Sequence, residues 1–151
     1  VDIPCRADAV VTSCGGFPKD ISLYQGTKTI DNVESALKPG GTLVLMIEAP
    51  EGGGPAEYFD WSKNLQDGTL EQRLREAFTV AGYIFFLNCE QAQRYRIFLY
   101  SSIDPKDVAP MGIHAYSDLD ELLKAAQLDG KSTYVIPNGS TVIPRVKGAN
   151  Q

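Results

Sequence analysis

The sequence predicts an α/β fold, Rossmann-like, with a mostly parallel sheet of about four to five strands between helical layers. Three observations carry that expectation. Short aliphatic and β-branched runs at residues 7–11, 42–49, 96–101 and 133–136 alternate with stretches of helical spacing, and alternation of this kind makes each crossover parallel. The run 42–49 (Thr-Leu-Val-Leu-Met-Ile-Glu-Ala) is apolar on both faces, as a strand covered on both sides must be. Two glycine-rich turns, Gly15-Gly16 and Gly52-Gly53-Gly54, each follow such a run, so both fall at a strand's carboxyl end. In open α/β sheets that edge is where ligands bind.

Taken in order, residues 1–6 read as an entering linker, because Pro4 disfavours regular structure. Residues 7–11 form the first strand, and the turn after it leads into a helix for which Asp20 is the expected N-cap. Ile30, Val33 and Leu37 recur at helical spacing and give the helix a core-facing stripe. Gly26-Thr27 has poor helix propensity and predicts two pieces joined at a bend, while Lys38-Pro39-Gly40-Gly41 stops the helix. Strand 42–49 ends in the second glycine loop, Pro50-Glu51-Gly52-Gly53-Gly54-Pro55. Residues 56–64 and 69–78 read as short helices, and 80–95 as a longer one, although Tyr83-Ile84-Phe85-Phe86-Leu87 taken alone would also suit a strand. Strand 96–101 follows. Asp104-Pro105 opens a one-turn helix, residues 113–116 form a short strand, and Ser117 or Asp118 caps a helix bearing Leu119, Leu122, Leu123 and Ala126 on one side. Gly130 ends that helix, 133–136 is another strand, and Pro137-Asn138-Gly139 turns the chain into a tail ending near Gln151. The whole, 1–151, reads as a single domain.

An apolar fraction of 43% and a charged fraction of 22% are those of a globular protein, and no apolar run has the length of a membrane span. With a net charge of −5 and no basic stripe, neither nucleic acid nor a membrane is an expected partner. Cys5, Cys14 and Cys89 show no C-x-x-C spacing and suit reduced thiols in the cytoplasm. The chain starts at Val1 without an initiator Met or a signal pattern, and the expectation is a piece of a longer polypeptide whose other residues complete any site.

The chemistry-bearing residues concentrate after the first turn. Tyr24, Gln25 and Lys28 stand at i, i+1 and i+4, so a phenol, an amide and an ammonium share one patch of helix. That set suits a carboxylate or hydroxy-acid ligand, with Lys28 as the charge and Gln25 and Tyr24 as orienting groups; a solvated helix face explains the same spacing. Neither glycine turn matches the dinucleotide or triphosphate fingerprints, and each alone reads as a tight turn. Cys14 at the first turn suits a soft ligand or nucleophile, or more simply a small residue packing the turn. His114, the one histidine, stands between Ile113 and Ala115, where a structural, hydrogen-bonded role is expected. One histidine and scattered thiols do not make a transition-metal site. Glu48 and Glu51 flank the second loop and Trp61 follows it, with the carboxylates facing either a ligand or water.

Thr12-Ser13-Cys14-Gly15-Gly16-Phe17-Pro18, then Asp20, then Leu23-Tyr24-Gln25-x-x-Lys28, and later Lys38-Pro39-Gly40-Gly41 before the strand ending Glu48-Ala49-Pro50-Glu51-Gly52, together resemble the C-terminal domain of the nickel-dependent lactate racemase family. The resemblance implies that the N-terminal domain of the same protein is the main partner and that the substrate is a small 2-hydroxy acid, lactate-like. It assigns catalytic and substrate-holding roles to Lys28 and Gln25, with Tyr24 lining the site and Cys14, Gly15, Gly16, Glu51 and Gly52 as loops around it. The implied cofactor is a nickel-pincer nucleotide, bound mainly by the N-terminal domain together with the acid–base histidines, with no cofactor or metal held by this domain alone. The implied reaction is racemisation or epimerisation by hydride removal from the α-carbon and return, with the isolated domain inactive. The family more often carries asparagine where this chain has Cys14, tyrosine where it has Phe17 and a neutral residue where it has Lys19, departures that bear on the substrate.

Two other readings stay open at the level of sequence. Ala36-Leu37-Lys38-Pro39-Gly40-Gly41-Thr42-Leu43 also looks like the approach to a late strand of Rossmann-type methyltransferases, although the glycine-rich motif such enzymes need earlier in the chain is missing. The third reading is a non-catalytic organic-acid-binding or structural domain.

Overall fold

The computed structural model describes residues 1–148; the last three positions of the expected tail lie outside the described residues. Five parallel strands form the main sheet: β2 (Ala7–Ser13), β3 (Leu37–Met46), β4 (Arg96–Tyr100), β5 (Ile113–Tyr116) and β6 (Thr133–Ile136), in the order β5-β4-β3-β2-β6. The chain steps outward from β2 through β3 and β4 to β5, then returns to lay β6 on the other side of β2. Strand order therefore reverses at β2, where the loops leaving β2 and β6 meet, Ser140 Oγ donating to the Cys14 carbonyl at 2.6 Å.

One face of the sheet carries α1 (Leu23–Gly26), α2 (Lys28–Val33) and α5 (Val80–Arg94), whose Leu23, Ile30, Val33 and Phe85 bury Val10, Leu43, Leu45, Ile97 and Leu99. Alternate strand residues, Val44 and Phe98, face the other way and pack under α7 (Leu119–Ala126). The α/β architecture and its parallel sheet agree with the sequence expectation. So do the helix over 80–94, the bend between α1 and α2, and the one-turn α6 (Pro105–Val108) capped by Asp104. Among the described residues no helix is long and apolar enough to cross a membrane. The short helix expected over 56–64 is displaced to a 3-10 turn, Phe59–Trp61, followed by α3 (Ser62–Gln66), and that over 69–78 is trimmed to α4 (Leu70–Glu76).

Several local expectations are corrected. Ser22, not Asp20, caps α1: its backbone is extended and its Oγ accepts from the Gln25 N–H at 3.4 Å, while the Asp20 carbonyl accepts from the Ala49 N–H at 2.9 Å. Leu37 is buried as expected but begins β3 instead of ending a helix. Lys38-Pro39-Gly40-Gly41 is absorbed into that strand as a bulge, the register jumping from Ala7 opposite Leu37 to Ala9 opposite Thr42. Only Leu122 and Ala126 of α7 are buried; Leu119 and Leu123 are 37% and 39% exposed, because this eight-residue helix touches the sheet along a single i, i+4 ridge. Residues 1–6 are not merely a linker, since β1 (Asp2–Ile3) pairs in parallel with β7 (Arg145–Val146).

A buried polar chain ties the helices together. Tyr58 donates to Asn88 Oδ1 at 2.8 Å, Asn88 Nδ2 to Gln91 Oε1 at 3.1 Å, and Gln91 Nε2 to Asp31 Oδ1 at 2.7 Å. Each buried amide on α5 therefore has a partner, and α5 is pinned to α2, the helix that bears Lys28.

Candidate functional site

The two glycine loops lie side by side at the carboxyl edge of β2 and β3. Ala49 N–H donates to the Asp20 carbonyl and Glu51 N–H to that of Ile21, while Leu23 and Tyr24 N–H donate to the carbonyls of Gly52 and Gly53, at 2.9 to 3.1 Å. These four backbone bonds fix the start of α1 against the second loop. Gly54 has a positive φ of 101°, and a Cβ there would stand 2.8 Å from Ser22 Oγ, so the second loop closes on the α1 cap only with glycine.

From that platform Tyr24, Gln25 and Lys28 project together. Lys28 Nζ donates to Gln25 Oε1 at 2.8 Å and sits 4.5 Å from the centre of the Tyr24 ring, whose other contact is an edge-on approach to the buried Tyr58. Lys28 forms no ion pair with any described residue. With its carbonyl oxygen occupied by Lys28, the Gln25 carboxamide presents its NH2 outward, and the pair offers donors to an anion.

Two depressions flank the first loop. The smaller, about 250 Å³, is lined by Lys19, Gln25, Lys28, Thr29, Asn32 and Ser140, and lies in the crevice between the β2 and β6 loops where strand order reverses. The larger, about 510 Å³, opens over the ends of β2, β3 and β4, with Ser13, Asp20, Glu48, Tyr100 and Ser102 among its walls. Asn32 and Ser140 are not visible as site residues in the sequence, and Lys19 stands out there only as a charge where the family is usually neutral. Asn32 follows Lys28 by one helical turn, the one signal that could have found it; Ser140 enters only because β6 lies next to β2.

The remaining predicted residues separate into framework and surface. Gly15 has φ of 95° and packs under Asn138, and Gly16, with φ of 78°, is exposed at the rim of the larger cleft. Cys14 is corrected as a site-lining residue and takes the simpler of its two expected roles, a small residue packing the turn. It is fully buried with Sγ donating to the Gly26 carbonyl at 3.4 Å, and burial raises its pKa, so the thiol stays protonated. Gly52 and Glu51 act through the backbone bonds above, with the Glu51 side chain exposed outside both depressions. Trp61 is buried against Gly82, where a Cβ would collide with its indole. His114 is exposed on the α7 side of the sheet, its ring 5.4 Å from that of Phe98; it has no hydrogen-bond partner among the described residues, contrary to the structural hydrogen bond expected of it. Among the described residues no group of three or more His, Cys, Asp or Glu stands ready to hold a metal.

The family model of the lactate racemase C-terminal domain matches residues 3–144. The lactate racemase of Thermoanaerobacterium thermosaccharolyticum is 28% identical over 150 residues, covering 93% of this chain and 35% of that protein. That of Lactiplantibacillus plantarum is 26% identical over 149 residues, covering 90% and 34%. The solved lactate racemase apoprotein from T. thermosaccharolyticum superimposes with a TM-score of 0.80 at 28% identity, over 94% of this chain and 36% of that one. The chain thus spans about a third of the length of these relatives.

Proposed function

Because this chain belongs to the family of lactate racemase C-terminal domains, we propose that it is the substrate-facing part of a longer racemase or epimerase acting on 2-hydroxy acids, and that it is inactive alone. The observation that carries the reading is the Lys28 ammonium at the sheet edge, free of any acidic partner among the described residues and steadied by Gln25 and the Tyr24 ring. In this reading Lys28 binds the substrate carboxylate, the Gln25 amide N–H orients the carboxylate or the 2-hydroxyl, and Tyr24 forms an apolar wall that keeps water from the far side of the ammonium. The preoriented charge, exposed at the surface of this domain, then holds the α-carbon in one place while its configuration changes.

The described residues do not fit a nickel centre: Cys14 and Cys89 are buried and protonated, and His114 stands alone away from the edge. The nickel-pincer nucleotide implied by the family resemblance, which supplies the hydride chemistry when bound, would be held by the rest of the protein along with the acid–base histidines. The task left to this chain is to bind and orient. A methyltransferase has no support from the family match, while a non-catalytic acid-binding domain predicts the same ligand without turnover.

The test uses the full-length protein, loaded with cofactor and assayed by chiral separation of the two enantiomers of a 2-hydroxy acid. Lys28→Ala should cost about 2–4 kcal/mol of transition-state stabilisation in kcat/KM, with the melting temperature nearly unchanged. Undiminished turnover in that variant removes Lys28 from the site. A wild-type protein that binds the acid without turnover selects the non-catalytic reading.

A further inference from the structure

We propose that the substrate of this site carries a second negative charge, so that the protein takes a dianionic 2-hydroxy acid in preference to lactate, with Lys19 as the residue that selects it. The proposal rests on the hydroxy-acid reading of the Lys28 patch and extends it by one residue. Lys19 belongs to the loop after β2, Lys28 to α2, and both ammonium-bearing side chains line the same crevice of about 250 Å³. No carboxylate lines that crevice, and neither lysine forms an ion pair with a described residue. In a chain with 19 acidic and 14 basic side chains, two lysines and no carboxylate around one pocket are a local reversal of the overall sign.

The other walls point the same way. Gln25 Oε1 is occupied by Lys28, and Ser140 Oγ spends its proton on the Cys14 carbonyl at 2.6 Å. Asn32 Nδ2 gives one proton to the Gly139 carbonyl at 3.1 Å and keeps a second. What remains for a ligand is mainly a set of donors: two ammonium groups, the Gln25 NH2 and one N–H of Asn32. Lactate, with a single carboxylate, satisfies one lysine and leaves the other cation facing an apolar methyl. A 2-hydroxy acid whose second anionic group is a carboxylate or a phosphate engages both. Space favours a compact ligand of this kind, since the crevice is smaller than the usual pocket for drug-sized molecules.

The experiment measures binding of lactate, 2-hydroxysuccinate and 2-hydroxy-3-phosphopropanoate to the full-length protein by calorimetry, with racemisation of each measured in parallel. The expected result is tighter binding of at least one dianion than of lactate, the two dianions telling carboxylate from phosphate. In Lys19→Met, which keeps the length of the exposed side chain and removes its charge, the preference for the dianion should fall about tenfold, and Lys19→Arg should restore it. Equal binding of lactate and both dianions, or a preference that survives Lys19→Met, overturns the proposal. The binding arm separates the two readings. A dianion preference lost in Lys19→Met without turnover upholds Lys19 and strikes only at the racemase reading. Racemisation of lactate with no dianion preference strikes only at Lys19.

Discussion

Gly26 lies so close to Ile47 that a Cβ at Gly26 would stand 2.6 Å from Cδ1 and 2.7 Å from Cγ2 of that isoleucine. The contact joins the end of α1 to the chain leaving β3, one residue from Gln25 and two from Lys28. Gly26→Ala should therefore destabilise the fold by about 1–3 kcal/mol through overpacking. It should also raise KM for the acid in the full-length protein, because α1 must shift to admit the methyl. Urea titration and steady-state kinetics measure the two effects; an unchanged midpoint would mean that Ile47 yields without cost.

The chain Tyr58–Asn88–Gln91–Asp31 gives a second prediction. Asn88→Leu leaves the buried Tyr58 hydroxyl and the Gln91 carbonyl oxygen without partners, at a cost of about 2–4 kcal/mol. Tyr58→Phe, which removes one end of the chain, should cost only about 1 kcal/mol. Equal losses in denaturant midpoint for the two variants would show that the network is not the source.

Thiol chemistry supplies a third. Burial pushes the Cys89 thiol up to about 12 from its ordinary value of 9.0 and raises Cys14 in the same direction. Both groups hold their protons in the folded state at pH values where the unfolded chain has lost them. Below about pH 9 these thiols cost nothing; between pH 9 and 12 the unfolded chain binds fewer protons, and Cys89 alone removes up to about 1.4 kcal/mol of stability per pH unit. At pH 8 a thiol reagent should label the exposed Cys5 at once and reach Cys14 and Cys89 only in denaturant. Rapid labelling of all three would contradict the burial.

Within the site, Gln25→Ala should weaken acid binding less than Lys28→Ala does, since it removes an orienting donor and the Lys28 hydrogen bond but leaves the charge. A ratio of about tenfold between the two variants in kcat/KM is expected. The reverse order would make the amide the principal anchor.

The central strands were legible because burial on both faces leaves an unbroken apolar run, as in Leu43 to Leu45, and the long helix 80–94 because its length exceeds that of any strand here. Legibility stopped where two local signals competed. Asp20 and Ser22 are both good caps, and the choice was made by the second loop, which claims the Asp20 carbonyl from Ala49. β1 and β7 are two residues each, too short for a period, and exist only because their partners lie 143 positions apart in sequence. For the patch itself, helical spacing alone brings Tyr24, Gln25 and Lys28 together. Lys19 and Ser140 join them through loop and strand order, which no local pattern encodes.

The parallel pairing of β1 with β7 has a mechanical meaning. Val1, Arg145 and Lys147 bond across this pair and its approach, with the Val1 nitrogen on the Ile143 carbonyl at 3.0 Å, Arg145 N–H on the Val1 carbonyl at 2.8 Å and Lys147 N–H on the Ile3 carbonyl at 2.9 Å. Tension drawn outward through the two flanks slides these strands past each other, so the bonds bear the load together instead of peeling one at a time.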